Sequence, residues 1–245
     1  MNNRNHGKIH PILLFLISTL LVFLIVVIYF IIREKDRTTS RSLRLMSWFR
    51  DPQAHSDWEI VAGERCEGAA FIFPTNGYIG FLWGDSFRPG HTHQGIDIFG
   101  SPLEDRTPII AAYDGYLTRL TDWKSSIIIR IPDDPLQPGR QIWIYYTHMA
   151  SSQGESFIEP AFPPGTYDLF VELGTLLGYQ GNYSGNPGNP TGIHLHFSIV
   201  LDDGGGNFRN ELEFKNTIDP SPYFNMQLNA AINDDQIPFC ESIEE

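Results

Sequence analysis

The chain has 245 residues, 42% of them hydrophobic and 13% aromatic, enough for one domain of ordinary size with a real core and some appendages. Its net charge is −12, but residues 51–245 hold nine basic against 27 acidic residues, a balance of −18. Such a surplus argues against nucleic acid as a partner and against tight electrostatic adhesion to anionic lipid or another polyanion.

A short N-terminal segment (1–11) leads into residues 12–32, ILLFLISTLLVFLIVVIYFII, an apolar stretch without charge. A helix of that length, at about 1.5 Å per residue, reaches about 30 Å, the thickness of a bilayer core. A secretory signal has a shorter apolar region that ends in small residues. Here bulky Tyr29, Phe30, Ile31 and Ile32 run up to Arg33. The stretch therefore reads as an uncleaved, single-pass transmembrane anchor, which makes the lipid bilayer a partner. Arg4 and Lys8 precede it; Arg33, Lys35, Arg37, Arg41 and Arg44 follow. The positive-inside count thus places the larger part in the cytoplasm, whereas the site chemistry described below points outward.

Residues 33–66 read as a polar juxtamembrane stalk with one apolar island, LMSWF. From 67 to 225 the pattern changes to short β runs punctuated by turns. AAFIF (69–73) and IGFLW (79–83) come first. PIIAAYDGYLTRL (108–120) carries Asp114-Gly115 at its centre, a hairpin signal. SSIIIRI (125–131) and QIWIYYTHM (141–149) flank a turn-rich connection; VELGTLLGYQG (171–181) and TGIHLHFSIV (191–200) complete the set. The alternation predicts a mostly β, antiparallel core, with at most one or two helical turns over 207–216. Residues 226–245 form an acidic, loosely docked tail. Cys66 and Cys240 bracket the domain. They could form a disulfide in an oxidising compartment or remain two thiols, and their spacing fits no zinc–thiolate pattern.

Five of the eight histidines lie in the β region: His91, His93, His148, His194 and His196. Residues i and i+2 of a strand share a face, so His194 and His196 emerge together while Ile193, Leu195 and Phe197 pack inward. Two adjacent imidazoles are poor packing material, but they can share a cation. His93 and Asp97, four apart, share a face in the same way if their segment is a strand. His93, Asp97 and one histidine of the pair make three ligands, and tetrahedral zinc would keep a fourth position for water or substrate. The spare histidine and His148 remain for acid–base work. His91 reads as a rim residue. Arg88 is either a contact for a substrate carboxylate or an exposed arginine, and Tyr146 either flanks a groove or packs.

The three segments stand in the order His93-Gln-Gly-Ile-Asp97, Tyr146-Thr-His148, His194-Leu-His196. In this order and in its flanks (TPIIAAYDGYL, LGTLLGYQG, IDPSPYF) the chain resembles LytM/lysostaphin-type zinc metallopeptidases, peptidase family M23, over roughly residues 71–224. The resemblance implies a small antiparallel β-sheet of duplicated-hybrid-motif type with the site in a loop-framed groove. It implies Zn2+ on His93, Asp97 and His196, with His148 and His194 as unligated catalytic residues. The implied reaction is hydrolysis of peptide bonds in peptidoglycan by a domain outside the cell membrane. Two other readings stay open: a non-catalytic wall-binding or hydrolase-activating scaffold, and a metalloprotease acting on proteins. The chain departs from the pattern at Ser198, where an acidic residue is common. The loops before the glycine-rich stretch and before His194 are also longer than usual.

Overall fold

The computed structural model describes residues 11–86, 90–233 and 235–240. It opens with one helix, α1 (Pro11–Arg50). The helix runs through the expected stalk because residues 33–50 contain neither Gly nor Pro, and Pro52 follows its end. Among the described residues no helical stretch is long and apolar enough to cross a membrane.

The end of α1 is not a free stalk. Arg41, Leu45 and Trp48, spaced to share one helix face, are all buried. Leu45 and Trp48 cluster with Tyr78 and Phe99, and the Trp48 indole N–H donates to Glu59 (2.9 Å). The approach needs a glycine opposite: a Cβ at residue 80 would strike the Phe99 ring at 2.8 Å and meet Leu45 at 3.3 Å. The stretch reads as polar in sequence because the charges there are paired within the fold, Arg41 with Asp85 and Arg44 with Asp235.

After a 3-10 turn the strands follow in order: β1 (Glu59–Ile60), β2 (Gly77–Phe81), β3 (Ile96–Phe99), β4 (Pro108–Ile110), β5 (Gly115–Thr118), β6 (Ile127–Ile131), β7 (Ile142–Thr147), β8 (Leu169–Val171), β9 (Leu176–Tyr179), β10 (Leu195–Leu201) and β11 (Thr217–Ile218), then a short helix α2 (Ser221–Phe224). Among the described residues nine strands form one sheet in the order β1-β2-β3-β10-β7-β6-β5-β8, with β11 on β10, and β4 pairs with β9 separately. All these pairings are antiparallel. The expected mostly β, antiparallel architecture is what the chain forms.

The hairpin expected at Asp114-Gly115 does not form. β4 pairs with β9, while β5 pairs with β6 and β8. Gly115 is required for close approach instead, since a Cβ there would lie 2.5 Å from the Arg130 carbonyl oxygen. Asp114 accepts the Leu173 N–H (2.6 Å) and so fastens the turn between β8 and β9.

The main core lies on one face of the sheet, where Leu195, Phe197 and Ile199 of β10 meet Ile127 and Ile129 of β6, Ile142, Ile144 and Tyr146 of β7, and Phe224. A smaller cluster of Ile128, Trp143, Tyr145 and Val200 covers part of the other face. The C-terminal segment is integrated more firmly than its acidity suggested. Leu228 and Asn233 are buried, Asn229 bridges to Trp83, and Cys240 is disulfide-bonded to Cys66 across 174 residues of sequence.

A loop of that length closed by one bond restricts the unfolded chain by about 5 kcal/mol on the chain-entropy account. Reduction, or Cys66→Ser with Cys240→Ser, should lower stability by about 3–5 kcal/mol, read as a fall in the urea midpoint with a steeper slope, because the freed unfolded chain expands and exposes more surface.

Candidate active site

The site is built on three neighbouring strands. In the pairing register Asp97 of β3 stands opposite His196 of β10, and His196 stands opposite Thr147 of β7. The sheet period therefore lines the three up on one face, while Leu195 and Phe197 turn into the core. His194 sits one residue before β10 and joins the same pocket.

His93 arrives differently. β3 begins at Ile96, so the loop, and not strand alternation, brings His93 to Asp97. The loop is tied at both main-chain atoms: His93 N–H donates to the Asp85 carbonyl (2.7 Å), and Gly84 N–H donates to the His93 carbonyl (2.9 Å). His148 also escapes simple alternation. Tyr146 is fully buried on the core face, edge-on to Phe197, and its hydroxyl accepts the Ala112 N–H. Two residues later His148 would face the core too, but β7 stops at Thr147 and the His148 backbone takes φ 72°. That left-handed conformation is unfavourable for a residue with a Cβ. It swings the imidazole to the site face, where its ring lies 4.5 Å from that of His194 and 6.2 Å from that of His196.

Three of these side chains converge on one point. His93 Nε2 lies 3.0 Å from Asp97 Oδ1 and 3.0 Å from His196 Nδ1, and the latter two atoms are 2.9 Å apart. A tetrahedral ion with ligand bonds of about 2.0 Å sets its donor atoms about 3.3 Å apart. The triangle therefore needs only a slight opening to hold one, and two imidazoles with a carboxylate are a suitable donor set. Burial would raise the Asp97 carboxyl, but His93, His194 and His196 around it hold it well below its usual range, so it is an anion. Burial keeps His196 below the ordinary histidine value despite Asp97. His93 is the converse case: burial would lower it, but the charge and hydrogen bond of Asp97, with the Leu82 carbonyl and Asp85, together raise it.

Main-chain carbonyls set the tautomers. In the neutral rings, Nδ1–H of His93 donates to the Leu82 carbonyl (2.9 Å), that of His148 to Tyr183 (2.7 Å) and that of His194 to Gly192 (3.0 Å). Each then keeps its lone pair on Nε2. His194 Nε2 stands 3.6 Å from Asp97 Oδ1, and Phe99 stacks on its ring at 5.0 Å. The cavity over these groups holds about 490 Å3 and is bounded also by His91, Ser126, Tyr145 and Glu211.

Every candidate from the sequence that can be placed is accounted for. His93, Asp97, His148, His194 and His196 share the cavity, His91 is among the residues that line it, and Tyr146 packs. Arg88 lies outside the described residues. Of the two long loops only the later one, through Tyr183, Ser184, Gly185 and Thr191, lines the cavity. The earlier one tucks Ile158 and Phe162 into the core and ties the Phe162 carbonyl to Arg119. Ser198 is buried, and its hydroxyl has no hydrogen-bond partner among the described residues. The sequence reading missed Leu82, Tyr183 and Gly192, which act through backbone carbonyls and carry no side-chain signal, and Asp85, whose buried carboxylate is partnered by the distant Arg41. It also missed Glu211, which lines the cavity and whose carboxyl is raised by burial.

No protein-family model matches the chain, and no curated protein matches it. Solved structures similar to it include the catalytic domain of the antimicrobial peptidase lysostaphin from Staphylococcus simulans, at 20% identity and a TM-score of 0.38, covering 62% of this chain and 92% of that one. The catalytic domain of the prophage-encoded M23 protein EnpA from Enterococcus faecalis, in a single-substitution form, matches at 23% and 0.32, covering 52% of this chain and 84% of that one. LytU matches at 21% and 0.36, covering 64% and 85%. At these identities and TM-scores the chemistry of the chain has to be read from its own side chains.

One consequence is measurable without ligand. Burial, with His194 and His196 beside it, pushes His148 down to about 3. Below the ordinary histidine value of about 6.5 the unfolded chain therefore takes up a proton that the folded chain refuses, and stability falls with pH. His148→Gln should remove about 1 kcal/mol per pH unit of this decline between pH 6.5 and 5 in urea melts. Parallel pH profiles for the two proteins would contradict the assignment.

Proposed function

We propose that this chain is a zinc-dependent endopeptidase that hydrolyses peptide bonds in peptidoglycan. The observation that carries the reading is the triangle of His93 Nε2, Asp97 Oδ1 and His196 Nδ1, faced by two further imidazoles with free Nε2 lone pairs. A structural zinc site would use a fourth protein ligand. Here His148 and His194 are held by backbone carbonyls beside the triangle, as acid–base groups need to be.

Zinc, when bound, supplies Lewis acidity, polarising a carbonyl oxygen and easing the ionisation of water. The residues do the rest. His93, Asp97 and His196 would hold the ion and leave the cavity side open. His148 and His194 present Nε2 acceptors to that side, so one can take the proton of an attacking water. The histidine that has taken that proton can then donate it to the leaving amine, or hydrogen-bond through it to a developing oxyanion. The cavity is lined also by Ser126, Tyr145, Thr147, Tyr183 and Thr191, polar and aromatic side chains that can contact a peptide. The substrate class comes from the ordered motifs and their flanks, which resemble M23 peptidases.

Location is part of the same reading. From Leu20 to Val26 seven consecutive residues of α1 are exposed and apolar. At 100° per residue they cover the whole helix perimeter, as a lipid-facing segment requires. The hydroxyls of Ser18 and Thr19 are bonded within the helix, to Phe15 and Leu16 carbonyls, which such a medium also demands. The Cys66–Cys240 bond favours an oxidising compartment for the domain, against the positive-inside count. The protein is accordingly read as a single-pass protein of the cell membrane with its site outside.

The full chain in detergent should contain about one zinc, and His196→Ala should lose it. His148→Ala and His194→Ala should retain the metal yet release soluble peptides from purified wall at least about a hundredfold more slowly. Release that persists under strong chelation would refute the mechanism. Cleavage of ordinary protein substrates but not of wall peptide would leave the chemistry and overturn the substrate.

A further inference from the structure

We propose that Arg41, near the end of α1, is a positioning residue of the metal site, holding His93 in place through Asp85 and the 82–85 turn. The proposal rests on the zinc-site reading above and adds to it an element that lies wholly outside the ordered motifs.

The connection can be followed bond by bond. The Arg41 guanidinium pairs with Asp85 Oδ1, and both side chains are almost fully buried, at 4% and 2% exposure. The other carboxylate oxygen of Asp85 accepts the Leu82 N–H at 2.7 Å. The turn is closed by Asp85 N–H on the Leu82 carbonyl at 3.1 Å. That same carbonyl accepts His93 Nδ1–H at 2.9 Å and leaves Nε2 aimed at the triangle. The Asp85 carbonyl takes His93 N–H at 2.7 Å. Arg41 therefore orients a carboxylate, the carboxylate orients a turn, and the turn fixes both the main chain and the tautomer of a metal ligand. Outer partners of this kind typically change metal affinity when lost.

Burial alone does not explain an arginine here. Leu45 and Trp48 already bury the helix face against Tyr78 and Phe99. The same helix reaches the site by a second route, since Phe49 meets Phe99 edge-on at 5.7 Å and Phe99 stacks on His194. Both contacts place the end of α1 behind the site, where its docking sets the geometry in front.

The test uses the full chain in detergent micelles, with zinc affinity measured by competition against a chelating dye and the thermal midpoint measured on the metal-free protein. Arg41→Ala should weaken zinc binding by about tenfold to a hundredfold. Arg41→Lys should recover part of the loss, because the charge returns without the planar fork. Asp85→Asn should weaken binding similarly, and the double variant should be no worse than the weaker single, as expected for one chain of contacts. Leu43→Ala, exposed on the same helix, should bind like the wild type. Should Arg41→Ala fail to fold, Arg41→Lys and Asp85→Asn decide by the same measurement. A lower thermal midpoint with unchanged zinc affinity in these variants overturns the proposal and leaves a purely structural pair. A wild-type chain that binds no zinc overturns the functional reading itself, so the two failures are distinct.

Discussion

Three lone-pair donors held within about 3 Å of one another are the constraint on which the rest of this structure turns. Such donors repel unless a cation or shared protons lie between them, and the anionic Asp97 adds a charge that a half-dry pocket cannot solvate well. The sheet meets the constraint by register. Asp97, His196 and Thr147 form one row across β3, β10 and β7. The row is locked because Leu195, Phe197 and Ile199 fill the core on the opposite face. A slip of one residue would drive His196 inward and Phe197 out. The hydrophobic core and the polar site are thus two faces of a single pairing.

Direction is a separate problem from position, and the backbone solves it. A neutral imidazole has one N–H, so whatever accepts that proton decides where the lone pair goes. Three of the four central histidines give Nδ1–H to a main-chain carbonyl, and two of those carbonyls, Tyr183 and Gly192, belong to one loop. This accounts for the length of that loop. It must reach His148 at the end of β7 and His194 at the start of β10 while also forming a wall of the cavity. The positive φ at His148 belongs to the same solution. Without it the two-residue period would have placed this ring beside Tyr146 in the core.

The five side chains that share the cavity and the antiparallel β class were legible in the sequence because both are written in side chains: histidine and carboxylate at short spacings, and apolar residues in alternation. What was illegible acts through the main chain or through tertiary pairing. Carbonyls of Leu82, Tyr183 and Gly192 leave no residue-type signature. Asp114-Gly115 looked like a hairpin because local turn chemistry cannot reveal that the glycine serves a close strand approach. The polar stalk was misjudged for a related reason. A charged residue is read as solvated until its partner is known, and the partners of Arg41 and Arg44 lie 44 and 191 residues away. The burial of Leu45 and Trp48 was hinted at by the LMSWF island, but an isolated apolar patch does not name the surface that covers it.

The Arg41–Asp85 pair is also hard to justify as a source of stability. Removing two charges from water costs several kcal/mol per ion, and well-packed apolar residues of similar size are often as stable or more so. The neighbouring Leu45 and Trp48 show that this interface can be apolar. An apolar pair could dock the helix, but it could not accept the Leu82 N–H and so fix the turn whose carbonyl orients His93. The charged pair supplies direction where hydrophobic contact supplies only adhesion. On this view the helix is held by its apolar residues and made useful by the buried Arg41.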